Sequence, residues 1–186
     1  MSEKIRCAWC EKDDLYRNYH DFEWGTPVYD DEIIFEFLVL ETFQAGLSWY
    51  TVLSKRENFR KAFDAFDYHK IAKYSPEKIE ALLQNPGIIR NRLKVQGTVT
   101  NARKFMEVQQ EFGSFSQYIW SFVGGKPIDN KPQTLKDVPA TSEISDALSK
   151  DLKKRGFKFV GSTVVYAHMQ ATGMVNDHIM DCHTRK

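Results

Sequence analysis

The chain has 186 residues, 42% of them hydrophobic and 27% charged, enough apolar material for one sizeable core. That composition excludes a disulfide-stapled miniprotein and a chain disordered over most of its length. Its 26 Lys and Arg nearly balance its 25 Asp and Glu, so any contact with nucleic acid must come from local patches rather than overall charge.

Residues 31–45 carry Ile33, Ile34, Phe37, Leu38 and Leu40 at helical spacing behind an acidic start, which predicts a helix. Gly46 interrupts it, and residues 48–66 resume the pattern through Val52, Leu53, Phe59, Ala62 and Phe63 as a second helix. Residues 69–74 and 75–84 read as short helices, the latter with Ser75 as N-cap and Pro76 in its first turn. After the turn Asn85-Pro86-Gly87, residues 90–112 return to helical periodicity through Val95, Val99, Ala102, Phe105 and Met106. A shorter apolar helix over 115–123 ends at Gly124-Gly125-Lys126-Pro127. Residues 127–141 are polar and Pro-containing, as expected of a long exposed connection, and 142–156 and 163–173 read as two more helices. The only strand candidate is 157–160, so the expectation is an all-α chain forming a single unit over 1–186.

No apolar run approaches the ~20 residues that span a bilayer, and residues 1–10 are polar, so the expectation is a cytoplasmic protein without a membrane partner. Cys7, Cys10 and Cys182 cannot all pair with one another, so reduced thiols or metal ligation fit better than a disulfide framework. Cys7 and His20 lie near one end of the chain, and His178 and Cys182 form an H-x3-C pair near the other. On a helix that spacing puts both side chains on one face, and zinc favours such mixed thiolate and imidazole sets. Cys10 and His183 are alternative members of the set.

Several blocks taken together are specific: Arg6-Cys7-Ala8-Trp9, Tyr19-His20-Asp21-Phe22-Glu23-Trp24-Gly25, Gln44-Ala45-Gly46-Leu47-Ser48-Trp49 and Val175-Asn176-Asp177-His178. With Lys55-Arg56-Glu57-Asn58, Gly87-Ile88-Ile89-Arg90 and the run from Lys153 to Gly161, they resemble the DNA-3-methyladenine glycosylase I family nearly end to end. The resemblance implies an all-α helix-hairpin-helix DNA glycosylase fold, with the hairpin near 79–101. It also implies one structural zinc held by Cys7, His20, His178 and Cys182, joining segment 1–25 to 174–186. The implied activity is hydrolysis of the N-glycosidic bond of N3-methyladenine in alkylated double-stranded DNA.

Excision requires the base to leave the stack and enter a pocket that grips its faces and edges. A cationic N3-methyladenine is attracted by electron-rich ring faces, and Trp9, Tyr16, Tyr19, Trp24 and Trp49 cluster in the matching motifs. By resemblance Tyr19 and Trp49 stack on the base, while Trp9, Trp24 and Tyr16 shape the pocket. Glu41 interrupts an apolar helical stretch, where a buried carboxylate is costly without a partner; in the family the corresponding Glu bonds the edge of the modified adenine. The family lacks the catalytic Asp and the Schiff-base Lys of superfamily relatives, which implies a monofunctional hydrolase that leaves the strand intact. Asp129, after the Gly-Gly-Lys-Pro turn, is only superficially like that catalytic Asp.

For the DNA, the segment 82–90 resembles a hairpin whose Gly87 turn and following helix start present backbone N–H groups to phosphate, reinforced by Arg90, Arg92 and Lys94. Gln44 and Leu47 flank Gly46 and are candidates to fill the gap left by a flipped nucleotide. The expected enzyme is a monomer. Two other readings are a helix-hairpin-helix glycosylase for another damaged base and a non-catalytic, zinc-stabilised DNA-binding module. An iron–sulfur subclass is excluded, because it needs four cysteines and only Cys182 lies near the C-terminus.

Overall fold

The structure, a computed structural model, describes residues 4–185. The outermost residues of the two terminal segments expected to meet at a metal, 1–3 and 186, lie outside the described residues. The elements run α1 (Asp14–Phe22), α2 (Asp31–Gln44), α3 (Trp49–Leu53), α4 (Arg56–Ala62), α5 (Tyr68–Ile71), α6 (Pro76–Gln84), α7 (Arg92–Phe112), α8 (Phe115–Ser121), β1 (Ile128–Asp129), α9 (Glu143–Lys154), α10 (Ser162–Ala171) and β2 (Val175–Asn176).

Helix α2 is the axis of the molecule. Its N-cap Asp30 accepts from the amides of Glu32 and Ile33, and nine of its residues between Ile34 and Phe43 are buried. A helix buried on every side must be surrounded, and α3, α7, α8 and α10 all pack on it. Helix α7, about 31 Å long at 1.5 Å per residue, covers one side with Val95, Val99, Ala102 and Phe105. Helices α9 and α10 form an antiparallel-type pair on another side, opened by a reciprocal cap between Ser142 and Ser145. Helix α6 starts as expected, with the Ser75 hydroxyl accepting from the Lys78 amide at 3.3 Å and Pro76 in the first turn.

Three expectations are corrected. The helix expected over 48–66 breaks into α3, α4 and a 3-10 turn at Asp64–Phe66, because no apolar residue falls between Leu53 and Phe59 to keep one face inward. Asp64, Ala65 and Phe66 all take φ between 51° and 60°, a left-handed turn held by Tyr74 donating to Asp64. The strand expected at 157–160 does not form: Phe159 has φ 57°, and the Asn101 amide, rather than another strand, bonds both the N–H and the C=O of Lys158. The connection 127–141 is not simply exposed, since β1 pairs in parallel with β2 (Ile128 with Val175, Asp129 with Asn176) and Pro132 is buried. Helix α1 was not anticipated, although Asp13 as N-cap and Tyr16, Tyr19 and His20 at three- and four-residue spacing carry its signal.

The β1–β2 ladder brings the end of the chain to its beginning. The His183 amide donates to the Ile5 carbonyl at 2.9 Å, and Arg185 donates to the His178 carbonyl at 2.6 Å.

Candidate active site

Where α1, the end of α2, the start of α3 and α10 converge, they enclose a cavity of about 370 Å³ lined by Trp9, Tyr16, Tyr19, Trp24, Glu41, Gln44, Trp49, Leu135, Val138, Ala167 and Gln170. Every aromatic residue picked out from the sequence is in this wall. Tyr19 and Trp49 lie with ring centroids 5.3 Å apart, and Trp9 meets Tyr16 and Trp24 edge-on at 4.9 and 5.0 Å.

Glu41 stands in the last full turn of α2, 3% exposed. Among the described residues no side chain or backbone group donates to its carboxylate, and burial alone pushes its pKa up from 4.5 to about 8. The sequence argument that it must have a partner is thus unmet within the protein: its carboxylate faces the cavity. Its charge raises the pKa of Tyr19, after burial, and contributes to that of Tyr16, which puts both phenols beside it. The indole N–H of Trp49 is also buried without an acceptor.

Gln44 lines the same cavity, and its amide donates to the Leu47 carbonyl at 3.1 Å. The Leu47 amide in turn donates to the Gln44 carbonyl at 2.7 Å, so 44–47 is a tight turn with Gly46 at φ +81°. Space around Gly46 is open and Leu47 is 40% exposed, so this turn projects from the surface at the cavity mouth. Leu135 and Val138 were not anticipated. They come from the 127–141 connection, where alternating polar residues mask two apolar side chains that close one wall.

Behind the aromatic wall, Cys7, His20, His178 and Cys182 bring their ligand atoms within 4.8 Å of one another, all buried, in a group that can hold a metal ion. The Cys182 sulfur lies 3.5 Å from His20 Nε2 and 3.5 Å from His178 Nδ1, and the Cys7 sulfur 3.8 Å from His178 Nδ1. The H-x3-C pair converges without a helix: residues 177–179 and 182 are irregular and 180–181 form a turn, with the Cys182 amide bonded to the Ile179 carbonyl. Cys10 is buried outside the group, and His183 stands behind it, bonded to Asp21 at 3.0 Å. Both ligand imidazoles are oriented by their other nitrogen: His20 Nδ1 to Asp21 at 2.8 Å, and His178 Nε2 to the Trp24 carbonyl at 2.9 Å. Burial would raise Asp21, but hydrogen bonds from Arg6, His20 and His183 outweigh it and hold the carboxyl well below the usual range. Burial lowers His178 to about 4 and pushes Cys7 up to about 12, so the imidazole stays neutral while the thiol needs a cation to ionise. A β-carbon on Gly25 (φ +74°) would come within 3.0 Å of the His178 ring.

The two sites share walls. Trp9 meets His20 at 5.3 Å and Trp24 meets His178 at 4.6 Å, both edge-on, so the Cys/His group fixes the back of the aromatic cavity.

The hairpin candidates are dispersed in role. Gly87 donates to Asn85 Oδ1 at 2.8 Å, and Asn91 caps α7 by accepting from the Lys94 amide at 3.1 Å. Arg90 is exposed and no ion pair among the described residues engages it. Arg92 is ion-paired with Glu80 on the surface. Lys94, expected to face phosphate, turns inward: it is 7% exposed and donates to the carbonyls of Phe43 at 2.9 Å and Ala45 at 2.6 Å. Asp129 lies outside the cavity, ion-paired with Arg185.

A family model described as methyladenine glycosylase matches residues 9–186. The chain is 50% identical over 177 residues to DNA-3-methyladenine glycosylase 1 of Escherichia coli (strain K12), covering 95% of each. Among solved structures, a 3-methyladenine DNA glycosylase I superposes with a TM-score of 0.94 at 51% identity, over 96% of this chain and 98% of that one. A variant 3-methyladenine DNA glycosylase I in complex with 3-methyladenine also gives a TM-score of 0.94, at 38% identity over 97% of each chain. With its sequence and its fold in agreement over almost the whole length, the chain belongs to the methyladenine glycosylase family.

Proposed function

We infer that this chain is a base-excision repair glycosylase that hydrolyses the N-glycosidic bond of N3-methyladenine in alkylated double-stranded DNA. The observation that carries the reading is Glu41, a buried carboxylate with no donor among the described residues, facing an aromatic cavity. A cationic base entering that cavity supplies what the carboxylate lacks, a positive charge and a donor on its exocyclic amine. Adenine supplies the donor without the charge.

Tyr19 and Trp49 hold the base by its faces, and Trp9, Trp24 and Tyr16 close the sides; a cation over such rings gains about 0.5–2 kcal/mol beyond packing. As the C1′–N9 bond breaks, its electron pair passes to the base, which departs neutral, and water captures the sugar cation. The charged leaving group needs no strong acid or base, so positioning and electrostatic stabilisation carry the reaction. Among the described residues no lysine lines the cavity, and the reading is of a monofunctional enzyme that leaves an intact abasic strand.

We assign one structural zinc to Cys7, His20, His178 and Cys182. A tetrahedral zinc ~2.3 Å from sulfur and ~2.0 Å from nitrogen sets sulfur–nitrogen separations of about 3.5 Å, close to the 3.5–3.8 Å between these atoms. When bound, the ion turns the buried thiols into thiolates and clamps the two ends of the chain. Four protein ligands leave no position for water, so its work is structural.

The DNA is held by the helix-hairpin-helix near 79–101, where the Gly87 amide is taken by Asn85 and the backbone after it, up to the start of α7, offers amides to phosphate beside Arg90 and Arg92. The Arg92–Glu80 pair lies on the surface, where solvent and salt screen it, and exchanges readily for a phosphate. Gln44, Gly46 and Leu47 form the turn that enters the gap left by the flipped base. The whole chain is one such unit, acting as a cytoplasmic monomer; no helix among the described residues is long and apolar enough to cross a membrane.

The test is incubation of metal-replete protein with methylated duplex, with released bases resolved by chromatography and the strand checked for nicks. Selective N3-methyladenine release with an intact strand is expected. No release from folded protein, or release of unmodified adenine at a similar rate, contradicts the reading.

A further inference from the structure

Lys94 is the one buried lysine in the core, and no carboxylate pairs with it among the described residues. Burying an ammonium costs several kcal/mol unless its donors are used. Both bonds it makes go to main-chain carbonyls, Phe43 at 2.9 Å and Ala45 at 2.6 Å. Those carbonyls sit at the C-terminal end of α2, where the helix dipole is negative and the last carbonyls lack intrahelical partners. Phe43 immediately precedes the turn 44–47 with its exposed Leu47 and Ala45 lies within it, and Glu41 lies two residues before the first of them.

The other end of Lys94 is equally placed. Its amide is the third of α7 and is capped by Asn91, so its backbone belongs to the helix start that follows the Gly87 turn. One residue therefore spans the hairpin and the projecting turn, which approach the duplex from different elements.

We propose that Lys94 is a positioning residue that fixes the 44–47 turn, and with it Leu47, to the hairpin, so that phosphate binding and filling of the vacated stack occur in one register. The proposal rests on the reading of 44–47 as the turn that enters DNA. Lys94 touches neither base nor reacting atoms and lines no part of the cavity, so the pocket should bind a free base without it. Burial also lowers the pKa of the ammonium.

The experiment compares wild type with Lys94→Met, Lys94→Arg and Leu47→Ala, each measured below its own melting temperature. Single-turnover excision from methylated duplex is set beside binding of free 3-methyladenine, read by tryptophan fluorescence. K94M should lower excision by about tenfold or more, the scale of a misplaced element, with free-base affinity held within about twofold. K94R, which keeps the charge and donors, should recover most of the loss. In the double variant with L47A the loss should be less than the product of the single losses, as for residues acting as one unit. Lys94→Gln replaces K94M, with the same expectation, should K94M fail to fold. A lowered melting temperature with normal excision overturns the proposal, since Lys94 would then only cap α2. Equal loss of free-base binding also overturns it, because the pocket itself would depend on Lys94. Normal excision by L47A removes the turn's role in DNA and the proposal with it, whereas impaired L47A beside normal K94M defeats the Lys94 step alone.

Discussion

Two buried carboxylates in this protein, Asp177 and Glu41, are 1% and 3% exposed and yet have opposite surroundings. Asp177 accepts from Asn130 at 2.7 Å, Tyr166 at 2.7 Å and Gln170 at 2.8 Å, tying the β1 segment to α10. Glu41 accepts from nothing among the described residues and faces a cavity walled by aromatic rings. The first is architecture complete in itself. The second carries a desolvation cost that folding leaves uncompensated, which is reasonable only where a ligand later supplies the missing charge and donor.

That contrast is broken most forcefully at Asp177. Asp177→Ala leaves the buried Tyr166 hydroxyl and the less buried amides of Asn130 and Gln170 without their acceptor and should lower stability by about 1–3 kcal/mol, read as a shift in denaturant midpoint with excision falling only as the fold is lost. Glu41→Gln should do the reverse: excision of N3-methyladenine falls about a hundredfold, while the melting temperature at neutral pH is kept or raised. An E41Q protein that melts early and excises normally would place Glu41 with Asp177.

A subtler separation comes from pH. The folded pKa of Glu41, about 8, lies above its ordinary 4.5, so between these values the folded protein holds a proton that the unfolded chain has released. Stability therefore falls as pH rises through this window, by up to about 1.4 kcal/mol per unit, and levels off above the folded pKa. Glu41→Gln should remove this slope, visible as a difference between wild-type and variant melting curves that widens from pH 5 to pH 8. The smallest effect is expected at the surface: Arg92→Ala frees Glu80, leaves the melting temperature nearly unchanged, and lowers the salt dependence of duplex binding by about one unit of slope.

Glu41 itself was legible in the sequence, because a carboxylate among Leu40, Thr42 and Phe43 in a helix has to be explained. The aromatic wall was legible as a set, and the long helices were found from periodicity, α2 and α6 to within a residue. What escaped reading lacks a local signature. Leu135 and Val138 reach the cavity from a stretch that is otherwise polar, and only tertiary packing shows which of its residues turn inward. Lys94 reads as one more basic residue near a hairpin until its neighbours are known, because the carbonyls that receive it are some fifty positions away along the chain. The strand expected at 157–160 failed for a related reason: Asn101, distant in sequence, supplies a substitute for a neighbouring strand.

The central claim, that Glu41 is left unpartnered for a cationic base, is tested most directly by the titration of its side-chain carboxyl. Carbon-13 NMR of the labelled protein, alone and saturated with 3-methyladenine, which is neutral when free but brings the donor of its exocyclic amine, should give a midpoint near 8 in the free protein that moves down when the base is bound. A midpoint near the ordinary 4.5, unmoved by the base, would mean that Glu41 is already solvated or paired, and would contradict the account.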